Sequence, residues 1–367
     1  MDLLKRWRVS MKGVEITTVP IGNLITRKKK KCGLEKAEVY SVTKEKGFVL
    51  SDSLHDFSIY SEDTSNYSIV NKNDFAYNPS RLNIGSFALF DKEIGKISPM
   101  YVVFSCDTEK ISPMYLYYYV KSPKILNMID SLKEVGARFR FDFTKWGKIQ
   151  IPLPHIKVQE EIVKILDSFT NLIDALNEEL SLRQKQFEYY REKLLTFDDN
   201  TNMQKICNFA SIQSGKNKER TDNGQFPLFG STGLISRTNI SVYEGDYILI
   251  ARVGANAGFT YRVNGKFDVS DNTLIVTIIK NNTINIDYLY HCLIEQNLNK
   301  YAKGGGQPLV TSGELKNISI PIPSLAIQKS IVETLDAFES LISSLKEEIA
   351  LRQKQYEYYR EKLLTFN

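Results

Sequence analysis

Histidine, cysteine and clustered metal ligands are scarce in this sequence of 367 residues. The three histidines and four cysteines are scattered, and the cysteines, at positions 32, 106, 207 and 292, form no C-x-x-C pair or other zinc-ligand spacing. No set of His, Asp and Glu is grouped in the sequence as in a metal-dependent nuclease. We therefore predict no metal site and no catalytic residues. Single, separated cysteines are typical of a reducing compartment.

Long apolar runs are also absent. No window reaches the roughly 18 apolar residues of a membrane span. The first residues, MDLLKRWRVSMKGVEITTVPIG, lack the apolar stretch of a secretory signal peptide. The sequence therefore favours a cytoplasmic protein.

Two motifs of nucleotide and methyl-group chemistry are missing. Neither Gly215-Lys216 nor Gly265-Lys266 has the upstream glycine of a GxxxxGK[ST] phosphate loop. The segment YNPSR at 77–81 has one proline and no following aromatic residue, unlike the N/D-P-P-aromatic motif of amino-methyltransferases. We expect that this chain binds no cofactor of its own.

A long internal repeat is the clearest positive feature. Residues 151–197 match residues 320–366 at a constant offset of 169, with 29 identities in 47 positions. The two copies end in LRQKQFEYYREKLLTF and LRQKQYEYYREKLLTF. The period is far longer than the 20–50 residues of a solenoid. It indicates a duplicated domain followed each time by the same helical element.

Each copy of the repeat predicts a long helix, because its apolar residues recur in alternating steps of four and three, as in an a/d heptad stripe. The stripe positions are Ile162, Leu166, Phe169, Ile173, Leu176, Leu180, Phe187, Tyr190 and Leu194 in the first copy, and Ile331, Leu335, Phe338, Ile342, Leu345, Ile349, Tyr356, Tyr359 and Leu363 in the second. We expect the two helices to pair as an antiparallel coiled coil within the chain. Pairing between two chains is the alternative.

Two details refine the predicted helices. The gap in each stripe falls on Arg183 or Arg352, which either sets the register of pairing or extends its charged end to solvent. The segments IPLP and IPIP precede the two helices, and proline is typical of the end of a strand but not of a helix interior.

The non-repeated regions predict mixed α/β domains, so the fold class is α+β. Short β-branched runs in EGDYILIARVGANAGFTYRVNGKFDVSDNTLIVTII are separated by Gly, Asn and Asp, which indicates strands and turns. YLYYYVKSPKILNMIDSL and YLYHCLIEQNLNKYA each predict one helix. The predicted boundaries are residues 1–150 and 200–319 for the domains, and 151–199 and 320–367 for the helical segments.

The charge is unevenly distributed along the chain. The net charge is +5, but residues 1–150 carry +7 and residues 201–319 carry +3, whereas the repeat segments are slightly acidic. Basic domains attract the phosphates of nucleic acids. A surplus of +3 alone is equally typical of a solvated surface.

The order of basic domain, IP-x-P, heptad helix, second domain and second helix resembles the specificity subunit of type I restriction-modification systems. FPLFGSTGLISRTNISVYEGDYILIARVGANAG is similar to that family's target recognition domains. In the first half, EVYSVTKEKGFV and DFAYNPSRLNIGSFAL stand where PLFGSTGLIS and DYILIARVGANAG stand in the second.

The resemblance implies a non-catalytic subunit that reads a bipartite, asymmetric site in double-stranded DNA, one half-site per recognition domain. It also implies that the helices dock two methyltransferase subunits and, through them, motor-nuclease subunits. S-adenosylmethionine, ATP and Mg²⁺ would then be bound by the partners. Two other functions stay open: a divergent DNA methyltransferase or nuclease, and a helical scaffold that does not bind DNA.

Candidate DNA-binding residues are basic or amide side chains on expected loops, since these side chains contact phosphates and base edges. They are Arg27, Lys28, Lys29, Lys30, Lys31, Lys44, Lys46, Arg81, Arg138 and Arg140 in the first half, and Lys216, Lys218, Arg220, Arg237, Arg252, Asn256 and Gln307 in the second. The run RKKKK at 27–31 is alternatively an ordinary solvated loop. The glycine loops GANAG and GGGQ either allow close approach of DNA or are tight turns.

Candidate partner-docking residues lie near the end of each helix. Tyr190 and Tyr359 fall on the heptad stripes and are expected in the core. Their neighbours Tyr189 and Tyr358 fall off the stripes. Together with Arg191 and Arg360, these two exposed aromatic residues are predicted to anchor a partner.

Overall fold

The computed structural model describes residues 16–33, 36–53, 63–132, 139–198, 201–217, 220–221, 223–279, 282–304, 306 and 308–366. The chain divides into two units, each of which contains one domain together with parts of both long helices. Unit 1 is Met1–Ala175 with Ile349–Asn367, and unit 2 is Leu176–Glu348.

Unit 1 contains two four-stranded sheets and a two-stranded ribbon. Its strands are β1 (Thr17–Pro20), β2 (Ile25–Lys28), β3 (Val39–Thr43), β4 (Gly47–Leu50), β5 (Ser68–Asn71), β6 (Phe75–Tyr77), β7 (Phe87–Leu89), β8 (Ile94–Ile97), β9 (Val102–Cys106) and β10 (Gln150–Leu153). Its short helices are α1 (Pro113–Val120) and α2 (Pro123–Ser131). The strand orders are β2-β9-β6-β7, β4-β3-β8-β5 and β1-β10. Only the β3–β8 pair is parallel among these described strands.

Unit 2 has the same architecture. Its strands are β11 (Met203–Lys205), β12 (Ala210–Ser214), β13 (Phe226–Gly230), β14 (Gly233–Thr238), β15 (Tyr243–Glu244), β16 (Tyr247–Ala251), β17 (Thr260–Val263), β18 (Lys266–Val269), β19 (Thr273–Ile278) and β20 (Ser319–Pro321). Its short helices are α4 (Ile286–Glu295) and α5 (Ser312–Lys316). The long helices are α3 (Ile156–Leu195) and α6 (Leu325–Thr365).

The two units match strand for strand. The orders β12-β19-β16-β17 and β14-β13-β18-β15 in unit 2 repeat those of unit 1, and β13 pairs with β18 in parallel, as β3 does with β8. The predicted correspondence is therefore confirmed: β3 and β4 correspond to β13 and β14, and β6 and β7 to β16 and β17. The shared architecture persists although the two domain sequences differ far more than the two helix sequences.

Aromatic side chains dominate the core of unit 1. Phe75 stacks on Phe104 and on Phe87, with ring centroids 5.0 and 5.3 Å apart, and Trp146 is fully buried against Phe141 at 4.9 Å. Each such side chain contributes about 1.5–3 kcal/mol by leaving water. This core joins the β2-β9-β6-β7 sheet, the β1-β10 ribbon, α1 and the start of α3.

The helices of the domains differ in part from the prediction. The segment YLYYYVKSPKILNMIDSL forms two helices, not one, because Ser122 is extended (φ −68°, ψ 143°) ahead of Pro123. The proline ring disfavours helical conformation in the preceding residue. In unit 2, α4 ends at Glu295, and Asn297 adopts a left-handed conformation before a 3₁₀ turn at Leu298–Tyr301.

The two long helices begin where the IP-x-P segments predict. In each case a strand, β10 or β20, ends within the motif and the helix starts three or four residues later. In unit 1, Phe169 of α3 stacks on Tyr359 of α6 at 5.3 Å. In unit 2, Tyr190 of α3 stacks on Phe338 of α6 at 5.4 Å. Stripe residues are buried or half-buried, whereas Leu182 and Leu351 off the stripes are exposed.

Candidate nucleic-acid interface

Strand connections carry several of the predicted DNA-binding residues. In unit 1, Lys44 and Lys46 lie exposed in the β3–β4 turn, and Arg81 lies exposed between β6 and β7. In unit 2, the corresponding β16–β17 connection carries Arg252 and Asn256. The matched sheet topology therefore puts Arg81 of unit 1 and Arg252 and Asn256 of unit 2 on equivalent connections, whereas the β13–β14 turn, which matches that of Lys44, carries Ser231 and Thr232.

A groove of about 580 Å³ brings Lys44 and Arg81 together in unit 1. Its other polar lining includes Asn78 and Ser41, and the exposed apolar side chains of Ile84 and Met100 lie beside them. This groove is lined by Val39, Tyr40, Ser41, Val42, Thr43, Lys44, Ser51, Tyr67, Asn78, Arg81, Ile84, Ser86, Ser98, Met100 and Tyr101. Such a mixture of cations, hydroxyls and apolar groups suits base edges, which present hydrogen-bonding groups and the thymine methyl.

Lys121 connects the two loops of this groove. From the end of α1, its Nζ donates hydrogen bonds to the carbonyl oxygens of Lys44 at 2.8 Å and Gly85 at 3.2 Å. Burial, reinforced by the positive charge of Lys44, lowers the pKa of Lys121. One ammonium group thus fixes the backbone of both loops.

The RKKKK run is divided by the structure. Lys28 forms an ion pair within the domain: its Nζ lies 2.6 Å from a carboxylate oxygen of Asp74, which is only 2% exposed. Lys31 donates to the carbonyl of Asn66 at 2.9 Å, and its side chain is exposed, as are those of Lys29 and Lys30. Removing Lys28 would leave a buried carboxylate without its cation, which is a stability effect.

The two remaining described candidates of the first half lie near the 3₁₀ segment Phe143–Lys148. Arg27, on β2, and Arg140 are exposed. Asp142 caps that segment by accepting from Thr144, and this hydrogen bond, with a smaller contribution from Arg27, lowers the pKa of Asp142.

The candidate residues of unit 2 also differ from one another: some side chains are exposed, and others form hydrogen bonds within the protein. Lys216, Arg220 and Asn256 are exposed. Arg237 donates to the carbonyl oxygens of Gly224 and Gln225, and therefore holds a turn. Arg252 is half-buried and donates to the carbonyl of Asp271 at 3.2 Å. Arg138, Lys218 and Gln307 lie outside the described residues.

The GANAG loop contains a glycine that internal packing requires. Gly258 has φ +93°, and a Cβ atom there would lie 2.5 Å from the backbone nitrogen of Asn299. Gly254 has φ +84°, and a Cβ atom there would meet open space. The tight-turn interpretation therefore holds for Gly258. In GGGQ, Gly304 has φ +107°.

Two glutamines attach the domains to the long helices, and the sequence analysis missed them. Gln159 of α3 accepts from the backbone N–H of Ser112 at 2.9 Å and donates to the carbonyls of Lys110 and Pro154. Gln328, 169 residues later on α6, makes the same three bonds. It accepts from Asn285 at 2.8 Å and donates to Thr283 and Pro323. Both side chains are completely buried. One sequence signal could have identified them: both positions hold glutamine in a part of the repeat where the neighbouring residues differ.

An aspartate about two turns further along each long helix reinforces the attachment. The Tyr118 hydroxyl donates to Asp167 at 2.6 Å, and His291 Nε2 lies 3.0 Å from Asp336. Burial first, and the Asp167 carboxylate second, raise the pKa of Tyr118. The same aspartate in each helix therefore accepts a different donor from each domain.

Unit 2 adds a charged network around this point. Arg262 of β17 donates to Asp287 and Asp336, both at 2.9 Å, and to Glu339 at 2.7 Å. Its guanidinium lies 4.4 Å from the ring centre of Tyr290. These charge-assisted hydrogen bonds from one half-buried arginine reach three separate carboxylates, so β17, α4 and α6 are joined by charge as well as by apolar packing.

The predicted docking tyrosines are exposed. Tyr189 is 57% and Tyr358 is 52% exposed, whereas Tyr190 and Tyr359 are half-buried on the stripes, as predicted. Arg191 donates to Glu295 at 2.8 Å, and Arg360 lies 4.8 Å from the ring centre of Tyr356. The two arginines therefore occupy different environments although the helices are nearly identical.

Within the described part of the chain, no group of three or more His, Cys, Asp and Glu side chains is placed to hold a metal ion. In the same residues no helix has the length and apolar character needed to cross a membrane.

The fold and the sequence define the class of protein. The family model of the type I restriction modification DNA specificity domain matches residues 13–182 and again residues 200–351. The chain belongs to this family of specificity subunits, which are non-catalytic components of type I restriction-modification systems.

Individual relatives agree with this assignment. The chain is 29% identical to the specificity subunit of the type I restriction enzyme EcoR124I/EcoR124II from Escherichia coli, over 96% of this chain and 95% of that protein. It is 30% identical to the EcoprrI specificity subunit from Escherichia coli, where the match spans 56% of each chain. The crystal structure of a type I restriction-modification S subunit from M. genitalium has the same mixed α+β fold, with a TM-score of 0.66, 16% identity and 96% coverage of both chains.

Proposed function

We propose that this specificity subunit reads a bipartite, asymmetric DNA site, one half-site per domain, and docks two copies of a methyltransferase subunit. One observation carries the proposal: two domains of identical topology carry different loop residues, whereas the helices attached to them are nearly identical. Different loops suit two different half-sites. Equal helices suit one protein bound twice.

The loops that hold the candidate residues support DNA reading. In unit 1 the groove with Lys44 and Arg81 offers cations and apolar groups to base edges, while Lys29 to Lys31 supply exposed charge for phosphates. In unit 2, exposed Lys216 and Arg220 supply such charge, and exposed Asn256 offers an amide to base edges. Phosphate contacts position a protein on DNA, and base contacts give it specificity.

The two long helices pair antiparallel as a coiled coil and hold the two domains at a fixed distance. The stacking of Phe169 on Tyr359 in unit 1, and of Tyr190 on Phe338 in unit 2, supports this arrangement. In each unit the early part of one long helix contacts the late part of the other, which is the pairing that an antiparallel hairpin of heptad helices requires.

The methyltransferase subunits, together with motor-nuclease subunits in the full complex, supply the chemistry in the cytoplasm. They bind S-adenosylmethionine, ATP and Mg²⁺, whereas this chain binds none of these. The exposed Tyr189 and Tyr358 support docking on the helices, since exposed aromatic residues flanked by arginine are typical anchors of interfaces.

A gel-shift titration of duplex DNA with the chain and its methyltransferase subunit, at several salt concentrations, tests the proposal. We expect binding whose affinity falls steeply with salt and tighter binding to the methylated motif than to random duplex. Binding of S-adenosylmethionine by the purified chain alone would instead favour a divergent methyltransferase. No shift at any salt concentration would favour a scaffold.

The Arg81→Gln variant examines the groove in particular. Because one good base contact contributes about 1–3 kcal/mol of discrimination, this variant should relax the first half of the methylated motif and leave the second half unchanged. Asn256→Ala, on the corresponding connection of unit 2, is the matched variant and should affect the other half.

A further inference from the structure

The two docking surfaces of the chain are unequal on their domain side. The short helices α1 and α4 correspond residue for residue, because Ser112 and Asn285 both donate to the repeat glutamine. The hydroxyls of Tyr115 and Tyr288 likewise both donate to a proline carbonyl of the IP-x-P motif, at 2.8 and 3.0 Å. Continued along the chain, this correspondence aligns Ser122, two residues after the end of α1, with Glu295, the last residue of α4.

In unit 2, Glu295 forms an ion pair with Arg191 of the long helix α3. Arg191 donates to Glu295 at 2.8 Å, and its guanidinium lies 5.2 Å from the ring centre of Phe187. The Arg191 side chain is only 19% exposed. The chain itself thus supplies a carboxylate to this arginine.

In unit 1 the equivalent arginine has no such partner. Arg360 contacts the ring and hydroxyl of Tyr356 and forms no ion pair with any described residue. It lines a groove of about 510 Å³ together with Ser122, Lys124 and Lys354. Exposed Tyr358 and buried Leu364 form the apolar part of the groove.

The helix side of this groove is repeated in α3, residue for residue. Lys354, Glu357, Tyr358, Arg360, Glu361, Leu364 and Thr365 correspond at the offset of 169 to Lys185, Glu188, Tyr189, Arg191, Glu192, Leu195 and Thr196. The two sites therefore differ in the domain residues, where Ser122 stands in place of a glutamate, and in one helix residue, since Phe187 of α3 is Tyr356 in α6.

We propose that the groove of unit 1 binds a carboxylate side chain of the docked methyltransferase subunit through Arg360, whereas Glu295 of the chain itself occupies the equivalent place in unit 2. The proposal rests on the proposed function, because the occupant is the partner docked there. Two facts favour an acidic occupant: Arg191 already holds a carboxylate in the sister site, and the cations Lys124, Lys354 and Arg360 outnumber the carboxylates of Glu357 and Glu361 in the groove.

The consequence is that two copies of one partner bind with different strength. The copy at unit 1 gains a charge-assisted hydrogen bond, which is about twice as strong as a neutral one. The copy at unit 2 meets an arginine that is already paired. The first methyltransferase subunit therefore binds at unit 1, and the second binds more weakly.

Reciprocal substitutions test this asymmetry by titrating the full-length chain with its methyltransferase subunit and following one-to-one and two-to-one complexes by native mass spectrometry. For the unmodified chain we expect two dissociation constants that differ by about tenfold or more, as one charged hydrogen bond allows. Ser122→Glu should weaken the tighter step to the level of the other. Glu295→Ser should strengthen the weaker step.

Two further variants distinguish the loss of the docking contact from misfolding of the chain. Ser122→Ala removes the hydrogen bond from Ser122 Oγ to the carbonyl of Tyr119 without filling the groove, so the loss in Ser122→Glu is measured against it. Arg360→Gln keeps the helix intact and should also remove the tighter step. Equal affinities at both sites, or no difference between Ser122→Glu and Ser122→Ala, would overturn the asymmetry while leaving the proposed function intact. A chain that binds no methyltransferase subunit would overturn both.

Discussion

Gln159 accepts a hydrogen bond at 2.9 Å from the backbone N–H of Ser112, and so ties the first turn of a long helix to the start of a domain helix. Gln328 repeats this relationship with Asn285 at 2.8 Å. The attachment is thus part of the repeated helix, and it binds backbone atoms only. The glutamine part of the attachment therefore does not depend on the side chains of the domain residues that it contacts.

Replacement of either glutamine should destabilise the unit that contains it. Gln159→Leu and Gln328→Leu each leave one N–H and two carbonyl groups without partners, and an unsatisfied buried group costs about 1–3 kcal/mol. We expect a loss of about 3 kcal/mol in each case, measured by denaturant unfolding. Gln184→Leu, at an exposed position of the same helix, is the control. A loss below about 0.5 kcal/mol in both variants would contradict the attachment.

The buried histidine of unit 2 predicts a pH dependence of stability. Donation from Nε2 to Asp336 leaves His291 Nδ1 buried and without a partner among the described residues. Burial lowers the pKa of His291, with Arg262 adding to the effect and Asp336 and Glu339 opposing it. Since the folded state disfavours the proton, the contribution of His291 is complete above its unfolded pKa of about 6.5 and is lost as the pH falls below that value.

The variant His291→Tyr isolates this effect, because Tyr118 occupies the equivalent place in unit 1. Between pH 7 and pH 5 the unmodified chain should lose stability with a slope of up to about 1.4 kcal/mol per pH unit from this group. The variant should show a flatter profile over the same range in thermal unfolding. Identical profiles would mean that the buried imidazole is not responsible.

The lysine run should separate into a structural and a DNA-binding part. Lys28→Glu faces the buried Asp74 with a like charge and should lower the melting temperature. Lys29→Glu and Lys31→Glu should leave the melting temperature unchanged and should weaken binding equally to cognate and random duplexes. Each lost phosphate contact should reduce the salt slope by about 0.9. An unchanged slope would identify the run as a solvated strand end.

The long helices should act as a ruler between half-sites. One heptad inserted after Leu176 and another after Leu345 keep the stripes in phase and lengthen the pair by about 10 Å, or roughly three base pairs at ~3.4 Å per step. Because three base pairs also rotate the second half-site, activity should fall. The spacer of the motif that is still methylated should be longer. An unchanged spacer with normal activity would restrict the helices to partner docking.

Local patterns predicted the long helices and the strand connections, but not the contacts that join distant segments. Each heptad stripe, through Phe169 in α3 and through Phe338 in α6, is a local pattern within its own helix, so burial of one face of each helix could be predicted from the sequence. The end of the helix before Ser122 could also have been predicted from the sequence, since Pro123 stands inside the segment predicted as one helix. The prediction of one helix was wrong because Pro123 disfavours helical conformation at Ser122, whatever the apolar pattern around it.

The remaining site features depend on tertiary structure. Lys28 and Asp74 are 46 positions apart, and no local pattern connects them. From the sequence, Lys28 therefore could not be distinguished from the other four cations of the RKKKK run. Lys44 and Arg81 share a groove only because β3 and β6 belong to sheets that pack together. The buried role of Gln159 was hidden for a similar reason, since glutamine in a first helical turn is ordinarily solvated.

Exchange of one domain tests the central claim most directly. Residues 201–319 would be replaced by the corresponding domain of another specificity subunit, and the methylated motif of cells that express the complete system would be read by methylome sequencing. We predict that one half of the motif changes, while the other half and the spacer remain. A change in both halves together, or no change in either, would contradict the account of two domains that read DNA separately.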